Sequence, residues 1–600
     1  QKEKIDKLKV PVEMLETTTD DGFIQLNMPG KLYPRNESKF NKSWQYADME
    51  NGTYYMITRV QTHAPLLNQN EELVLKKVDS LLYENIPGKI IKKTAIVKNG
   101  YKGFDITNKT RRGDIQRYNI LITPFEVLIF KISGNDEYVY GKEADIFFTS
   151  IKIKEQKNTW VYFQPTQGGF VVPMPQQPNI IFNTNTEDGN DTWEYEATDK
   201  TTGNAYSVWK KSIHNYQFLE EDTFDISLME ESLQRSEFIE KQVSRKLDTV
   251  NNYPALNMLY KLKNGNILQA KAIIKGPHYY LILATGKKVN ADIEKFITGF
   301  TVTDFKYNNA TQFTDTSYKF TVQTPIQPVL DTEVRNLVEQ ATNDMYNKDE
   351  VYNYLQKDRV AFFKNDTTGE CIAVTTQVFA KYFYAKDTAQ FWQNQMRWDY
   401  LNKEFIVKNK EHVKLENDVS GYKYILLDTN SSRKIIGLTL LKDNKLFKAI
   451  TLADNIGKES SFITSFFNSF TPQTKKLGAS IFENKLSLFF EDYYSNDSAL
   501  NKKANSAIAH VFYGAEGLEK IKQAIAKLKL GDKDYFDIKT KFIYELGYID
   551  DTCCTKKVVA YLKDLYSQTA DTSTFQNPIL TSLANLKTKE SYNLLKELLL

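Results

Sequence analysis

Apolar and polar residues alternate along most of the chain before residue 470, and the alternating segments recur in the same order. The stretch 100–153 predicts three antiparallel strands, followed by a short helix that ends in a packed aromatic pair. Segments of the same pattern lie at 253–300 and 422–470. This recurrence predicts one domain plan that is used three times.

Each copy opens with a strand that stops at or near a proline, at 23–29, 170–175 and 318–325. An amphipathic helix is predicted before the closing hairpins of each copy. These helices are expected at 70–84, at 223–240 and around Trp392, Met396 and Tyr400. The third copy also carries an insertion, for which the pattern predicts a helix at 331–354.

The closing motif is the clearest internal match. Phe147-Phe-Thr-Ser-Ile-Lys, Phe296-Ile-Thr-Gly-Phe-Thr and Phe466-Phe-Asn-Ser-Phe-Thr occupy the same place in the three copies. A small residue between bulky apolar ones suits a short helix that runs directly into a last core strand. The repeat length of about 150 residues is typical of a domain. We therefore predict three domains, 1–155, 156–306 and 307–473, the last with the insertion.

The order of these elements resembles that of the PsbP-like domains, the fold of the extrinsic photosystem II subunit and of many bacterial lipoproteins. The resemblance covers residues 22–153, 168–305 and 317–472. It implies binding or assembly modules without a shared catalytic motif, and it favours a location in the bacterial cell envelope.

From about residue 474 the spacing of apolar residues becomes helical. Apolar residues from Ile538 to Leu562 recur 37 positions later, from Phe575 to Leu599. This segment, 474–600, resembles HEAT-type repeats, which implies an α-solenoid that continues beyond Leu600. The predicted fold class is therefore multidomain, with three α+β domains of antiparallel sheet and packed helices plus a C-terminal α-solenoid.

Composition narrows the function classes. The net charge is +3, and no block of like charges indicates a nucleic-acid partner. The longest apolar run, Tyr279-Tyr-Leu-Ile-Leu-Ala, is far too short to span a membrane. Three cysteines, Cys371, Cys553 and Cys554, do not form a disulfide framework. Because Gln1 is neither an initiator methionine nor part of a signal peptide, either a leader has been removed or the chain is a piece of a longer one.

Residues for catalysis or metal binding are sparse. The five histidines lack metal-ligand spacing, and no HExxH, CxxC, GxSxG or phosphate-loop motif occurs. Residues 183–194 place oxygen ligands at alternate positions, but Gly189 comes one place late for a calcium loop, so a polar hairpin turn is favoured. The sequence predicts no catalytic residue, no metal and no cofactor.

Two features remain as candidate partner contacts. Arg111 and Arg112, with Lys102 and Lys109, form a basic hairpin tip that is either simply solvated or a contact for an acidic partner surface. Trp160 lies in an apolar linker, where it either packs between domains or anchors a partner.

The favoured hypothesis is a non-enzymatic scaffold or adaptor that binds other proteins of a multi-subunit bacterial envelope assembly, periplasmic or peripheral to the outer membrane. One alternative is a small-ligand-binding periplasmic protein, with its pocket in the second copy near Ala255, Ala270, Ala272 and His278. Another alternative is an enzyme whose site is assembled between domains. A cytoplasmic location stays open.

Overall fold

The computed structural model divides the chain into two compact units. Unit 1 comprises Gln1–Ile213 and Glu221–Phe305, and unit 2 comprises His214–Glu220 and Lys306–Leu600. The described residues are 12–35, 41–61, 75–76, 80, 86, 88–134, 136–154, 159–183, 190–199, 201–329, 355–401, 403–549, 554–569 and 573–600. The predicted helix at 331–354, nearly all of the one at 70–84, the turn at 184–189, His63 and Cys553 lie outside them.

The described residues of unit 1 form two small sheets and two large ones, all antiparallel. The first small sheet consists of β1 (Leu15–Thr18), β2 (Ile24–Met28) and β10 (Lys152–Ile153). The first large sheet consists of β3 (Tyr33–Arg35), β4 (Asn41–Asp48), β5 (Thr53–Gln61), β6 (Lys89–Lys98), β7 (Tyr101–Lys109), β8 (Ile115–Ile122) and β9 (Glu126–Gly134). Its spatial order is β3-β4-β5-β9-β8-β7-β6.

The remainder of unit 1 has the same topology. A small sheet joins β11 (Val161–Phe163), β12 (Gly168–Met174) and β20 (Thr301–Phe305). The large sheet consists of β13 (Asn179–Asn183), β14 (Asp191–Thr198), β15 (Ala205–Ser212), β16 (Ile239–Val250), β17 (Tyr253–Leu262), β18 (Ile267–Lys275) and β19 (His278–Gly286). Its order is β13-β14-β15-β19-β18-β17-β16.

Unit 2 uses this strand order once more. Its small sheet joins β21 (Thr311–Asp315), β22 (Phe320–Thr324) and β29 (Thr471–Pro472). Within the described residues its large sheet has six strands, β23 (Leu355–Lys364), β24 (Cys371–Phe379), β25 (Ile406–Leu415), β26 (Val419–Leu427), β27 (Arg433–Lys442) and β28 (Lys445–Asp454). The order is β23-β24-β28-β27-β26-β25.

Short helices cover the sheets. In the first large sheet these are α1 (Asp136–Val139) and α2 (Lys142–Thr149); in the second, α3 (Asp222–Gln234) and α4 (Ala291–Gly299); in the third, α5 (Thr388–Met396), the π-helical turn Arg397–Leu401 and α6 (Ser461–Ser469). The closing motif lies on α2, α4 and α6 as predicted, and Phe147, Phe296 and Phe466 are 0% exposed. These rings are therefore core.

The C-terminal part of unit 2 is helical. It consists of α7 (Leu486–Tyr493), α8 (Ser498–Ser506), the 3₁₀ turn Ile508–His510, α9 (Gly514–Lys527), α10 (Tyr535–Leu546), α11 (Thr555–Gln568), α12 (Ser573–Asn585) and α13 (Lys589–Leu599). Most of the apolar residues at the 37-residue offset are buried in one core, whereas Leu599 is 64% exposed. None of the described helices combines the length and apolar character needed to cross a membrane.

The predicted fold class is wrong. Strand accounts for 41% and helix for 28% of the described residues, in six antiparallel sheets, so the overall class is sheet-rich. The sequence pattern undercounted strands because the edge strands β6, β16 and β25 are solvated on both faces and do not alternate. The helix predicted at 223–240 likewise ends at Gln234, and β16 begins at Ile239. The predicted domain boundaries and the two family resemblances stay predictions.

Candidate functional site

The basic hairpin tip lies between β7 and β8. The backbone N–H of Thr110 donates to the Asp114 carbonyl at 2.9 Å, and Gly113 donates to Thr110 at 3.0 Å. Gly113 has a φ of +96°, a conformation that favours glycine. Arg111 and Arg112 are exposed on this tight turn. The tip therefore presents both guanidinium groups to solvent on an ordered backbone.

Trp160, which the sequence places in a linker, packs against the second large sheet. Its ring packs edge-to-face on Tyr206, with ring centroids 5.8 Å apart. The ammonium of Lys295 lies over the indole, 4.2 Å from its centroid. Trp160 is half-buried at the margin of the core that contains Tyr206 and Phe296. No hydrogen bond or ring contact among the described residues joins Trp160 to the hairpin tip, so the two predicted contacts belong to separate places.

The most exposed tryptophan is one that sequence reasoning missed. Trp398 is 77% exposed and lies in the π-helical turn that follows α5. Its neighbour Tyr400 is 2% exposed. The signal was present in the sequence, because Trp392, Met396 and Tyr400 define the inward face at helical spacing and place Trp398 on the opposite side.

A buried carboxylate fixes this turn. The side chain of Asp399 is 7% exposed and pairs with the Lys448 ammonium at 2.7 Å. Its other oxygen accepts hydrogen bonds from Thr439 at 2.8 Å and from Tyr422 at 2.5 Å. Burial, together with the nearby charge of Asp399, raises the pKa of Tyr422, so the phenol stays a donor. π-Helical turns occur frequently at functional sites, and this one holds an exposed aromatic side chain on a rigid base.

Unit 1 contains a cavity of about 260 Å³ that is lined by residues from both of its large sheets. Arg59 lies in the wall and donates to both oxygens of Glu126, at 2.9 and 2.7 Å. It also pairs with Asp21, so its charge is neutralised within the wall. The guanidinium stacks on Phe23 at 4.1 Å. The Arg59 guanidinium is therefore already paired and does not offer its charge to a ligand in the cavity.

Amide side chains also line the cavity or lie beside it. The Gln61 amide donates to the Asn179 side-chain oxygen at 2.9 Å and to the Ile180 carbonyl at 3.1 Å. The Asn179 Nδ2 atom is buried and has no hydrogen-bond partner among the residues that the structure describes. Gln176, 8% exposed, also lines the wall.

The predicted ligand pocket of the second copy is filled instead. Ala255, Ala270 and Ala272 are at most 1% exposed and belong to the core. His278 is buried, and its Nδ1 lies 2.8 Å from the hydroxyl of Ser212, which is 0% exposed. A catalytic serine must be reached by substrate, so this buried pair serves the packing of the sheet.

The four histidines that the structure describes lie in separate places. Within the described residues no group of three or more histidine, cysteine or acidic side chains is placed to hold a metal ion. His214 lies in unit 2, where burial and the nearby Lys364 charge lower its pKa to about 4. His278 lies in unit 1.

Comparisons with known proteins do not assign this chain to a family. No protein-family model and no curated protein matches the chain. A protein from Bacteroides thetaiotaomicron VPI-5482 aligns with 10% identity over 27% of this chain and 54% of its own length, with a TM-score of 0.15. This chain thus spans about half of that protein.

Two further structures align at a similar level. The immunity protein TplEi of the T6SS from Pseudomonas aeruginosa has 9% identity over 48% of this chain and 97% of its own, with a TM-score of 0.15. MucB in complex with MucA(peri) has 9% identity over 44% and 87%, with a TM-score of 0.13. These scores establish neither a shared fold nor a shared function.

Proposed function

We propose that this protein is a non-enzymatic scaffold that binds other proteins of a multi-subunit assembly. The observation that carries the proposal is Trp398, which is 77% exposed on a turn held by the buried Asp399. Tryptophan is enriched among the residues that dominate protein interfaces. Because Asp399 fixes the turn, the backbone under Trp398 loses little conformational entropy when a partner covers the ring. Without a partner, the apolar indole ring of Trp398 stays in contact with water, which is unfavourable.

The surfaces of the large sheets support the same proposal. Each ends in a long exposed edge strand, namely β6, β16 and β25. Apolar side chains are exposed on all three, among them Val97 (69%), Leu247 (62%) and Ile406 (49%). Edge strands with unpaired backbone groups accept extended segments of other proteins. The chain therefore offers several contact surfaces, as a scaffold requires.

A location in the bacterial envelope, in the periplasm or at the outer membrane, is proposed from the PsbP-like resemblance. The PsbP-like and HEAT-type assignments are themselves retained as proposals. Their test is a determined structure of one repeat compared with those families.

Photocrosslinking at Trp398 tests the scaffold function. The benzophenone amino acid p-benzoylphenylalanine is placed at position 398 or, as a matched control, at Tyr592, which is 50% exposed in the same unit. We expect a discrete crosslinked partner from position 398 in native extract and not from 592, and Trp398→Ala should weaken capture of that partner about tenfold or more. A chain that purifies alone from native extract, without crosslinks, would rule the scaffold function out.

A second function, small-ligand binding, is favoured by the cavity of about 260 Å³, whose wall contains the amide side chains of Gln176 and Asn179. A thermal-shift screen with small polar metabolites tests it. A ligand that occupies the cavity should raise the melting temperature of the wild type and raise that of Gln176→Ala less. Equal shifts in both proteins would place the ligand elsewhere.

A further inference from the structure

The β6–β7 hairpin of unit 1 concentrates positive charge. Residues 89–112 contain eight basic residues and one acidic residue, whereas the whole chain has a net charge of +3. The acidic residue is Asp105, whose carboxylate binds Arg117 through contacts of 2.8 and 3.2 Å. Asp105 is therefore paired with Arg117, and its charge also acts on the neighbouring Lys98.

Five of the basic side chains are exposed and lie at one end of the hairpin or beside it. They are Lys89, Lys92, Lys109, Arg111 and Arg112. None of them forms a hydrogen bond or an ion pair with any part of the chain that the structure describes. Their charge is available to a binding partner.

Two of these lysines face each other. Lys89 and Lys109 are direct cross-strand partners in the antiparallel pairing of β6 with β7. Like charges in directly opposite positions destabilise a sheet. Arg111 and Arg112 follow Lys109 on the ordered tip and add to the repulsion. A carboxylate placed between these groups would relieve it.

The same hairpin presents a free backbone edge. β6 is the last strand of its sheet and, among the described strands, pairs with β7 alone. Ile91 is 54% exposed and Val97 is 69% exposed on this strand. Unpaired N–H and C=O groups along an edge form a template for an added strand, and apolar side chains give that strand something to cover.

We propose that β6 is the docking site of an acidic, extended segment of a partner protein. The segment pairs with β6 through its backbone, and its carboxylates face Lys89, Lys109 and Arg111. This inference rests on the protein-binding function proposed above and assigns the chemistry of one partner. Single-stranded nucleic acid fits less well, because such sites stack bases on exposed aromatic rings. Phe104 is half-buried here, and Lys93 already lies over its ring at 4.7 Å.

Fluorescence anisotropy with a labelled 12-residue peptide of alternating Glu and Val tests the proposal on the full chain. We expect saturable binding that weakens as salt concentration rises. The double variant Lys89→Glu/Arg111→Glu should weaken binding at least tenfold. The matched control is Lys408→Glu/Lys410→Glu, which changes two exposed lysines on the corresponding edge strand β25 and should change binding less than twofold. Circular dichroism and melting temperature verify that both variants fold.

A second peptide with alternate backbone nitrogens methylated keeps the charges but cannot form a strand, so it should bind at least tenfold more weakly. Equal binding of the methylated peptide, equal loss in both double variants, or tighter binding of an oligonucleotide or of anionic vesicles would overturn the inference. The two proposals fail separately. If the peptide does not bind while Trp398 still captures a native partner, only this inference falls; if no native partner exists, the scaffold function falls.

Discussion

The Tyr422 hydroxyl donates a hydrogen bond of 2.5 Å to the buried carboxylate of Asp399, and this contact ties the π-helical turn to the sheet beneath it. Tyr422 lies on β26, whereas Asp399 lies on the turn that carries Trp398. Removing the hydroxyl by Tyr422→Phe leaves the carboxylate with one donor fewer in a buried place. We expect a loss of about 1–2 kcal/mol in the free energy of unfolding, measured by urea denaturation.

The control for this variant is Tyr592→Phe, because Tyr592 is half-exposed. That change should alter stability by less than about 0.5 kcal/mol. Equal effects from the two substitutions would show that the Asp399 contact does not hold the turn.

Glu545 gives unit 2 a pH dependence in the neutral range. Burial raises the pKa of its carboxyl to about 7 from an ordinary value of 4.5, and the side chain lies near the C-terminus of α10, where the helix dipole also disfavours an anion. The folded state therefore holds the proton more tightly than the unfolded state. The contribution of Glu545 to the stability of the wild type should be complete below pH 4.5. It should be lost as the pH rises to about 7.

Glu545→Gln should remove that fall, which is seen as a smaller difference in melting temperature between pH 5 and pH 8. Glu491→Gln, at an exposed glutamate on α7, should keep the wild-type difference. A Glu545→Gln protein with an unchanged pH profile would contradict the assignment.

His214 gives unit 2 a pH dependence of stability in the acid range. Burial, and to a lesser degree Lys364, lowers its pKa to about 4 from 6.5, and its buried Nε2 atom has no hydrogen-bond partner in the described part of the chain. The folded state therefore disfavours the imidazolium. Its contribution to stability is present above pH 6.5 and is lost as pH falls towards 4.

His214→Phe should reduce the loss of stability between pH 6.5 and pH 4.5, measured as the change in urea midpoint. His412→Phe is the control, because His412 is exposed on β25. The histidine at 214 is not the responsible group if both variants keep the wild-type acid profile.

Two glycines in equivalent hairpins allow close strand approach. A Cβ at Gly103 would lie 1.8 Å from the Ile120 carbonyl oxygen, and one at Gly421 would lie 1.9 Å from that of Thr439. Backbone atoms cannot move aside as a side chain can. Gly103→Ala and Gly421→Ala should therefore each cost roughly 2 kcal/mol or more in stability.

Gly531→Ala is the matched control, because nothing lies within 4 Å of its added Cβ. It should leave the melting temperature within about 2 °C of the wild type. Ala255 stands at the corresponding place in the second large sheet, so the reverse change Ala255→Gly should not stabilise the protein. Tolerance of alanine at both 103 and 421 would show that the strands can separate locally.

Local patterning in the chain was enough to predict the repeated order of strands and the buried aromatic motif of α2, α4 and α6. Burial of one face imposes a period of two on a strand and of 3.6 on a helix, so these elements are visible in one chain. The sequence also placed Arg111 and Arg112 on a hairpin tip. It missed β6, β16 and β25 because strands that bury neither face leave no alternation.

Which residues meet in space follows from the packing of the folded chain. The pairing register sets Lys89 opposite Lys109, and the packing of α5 on its sheet buries Asp399 while exposing Trp398. Glu545 and His214 are ordinary residues in the sequence, and only the elements packed around them perturb their pKa values. These relationships depend on contacts distant along the chain, which local periodicity does not encode.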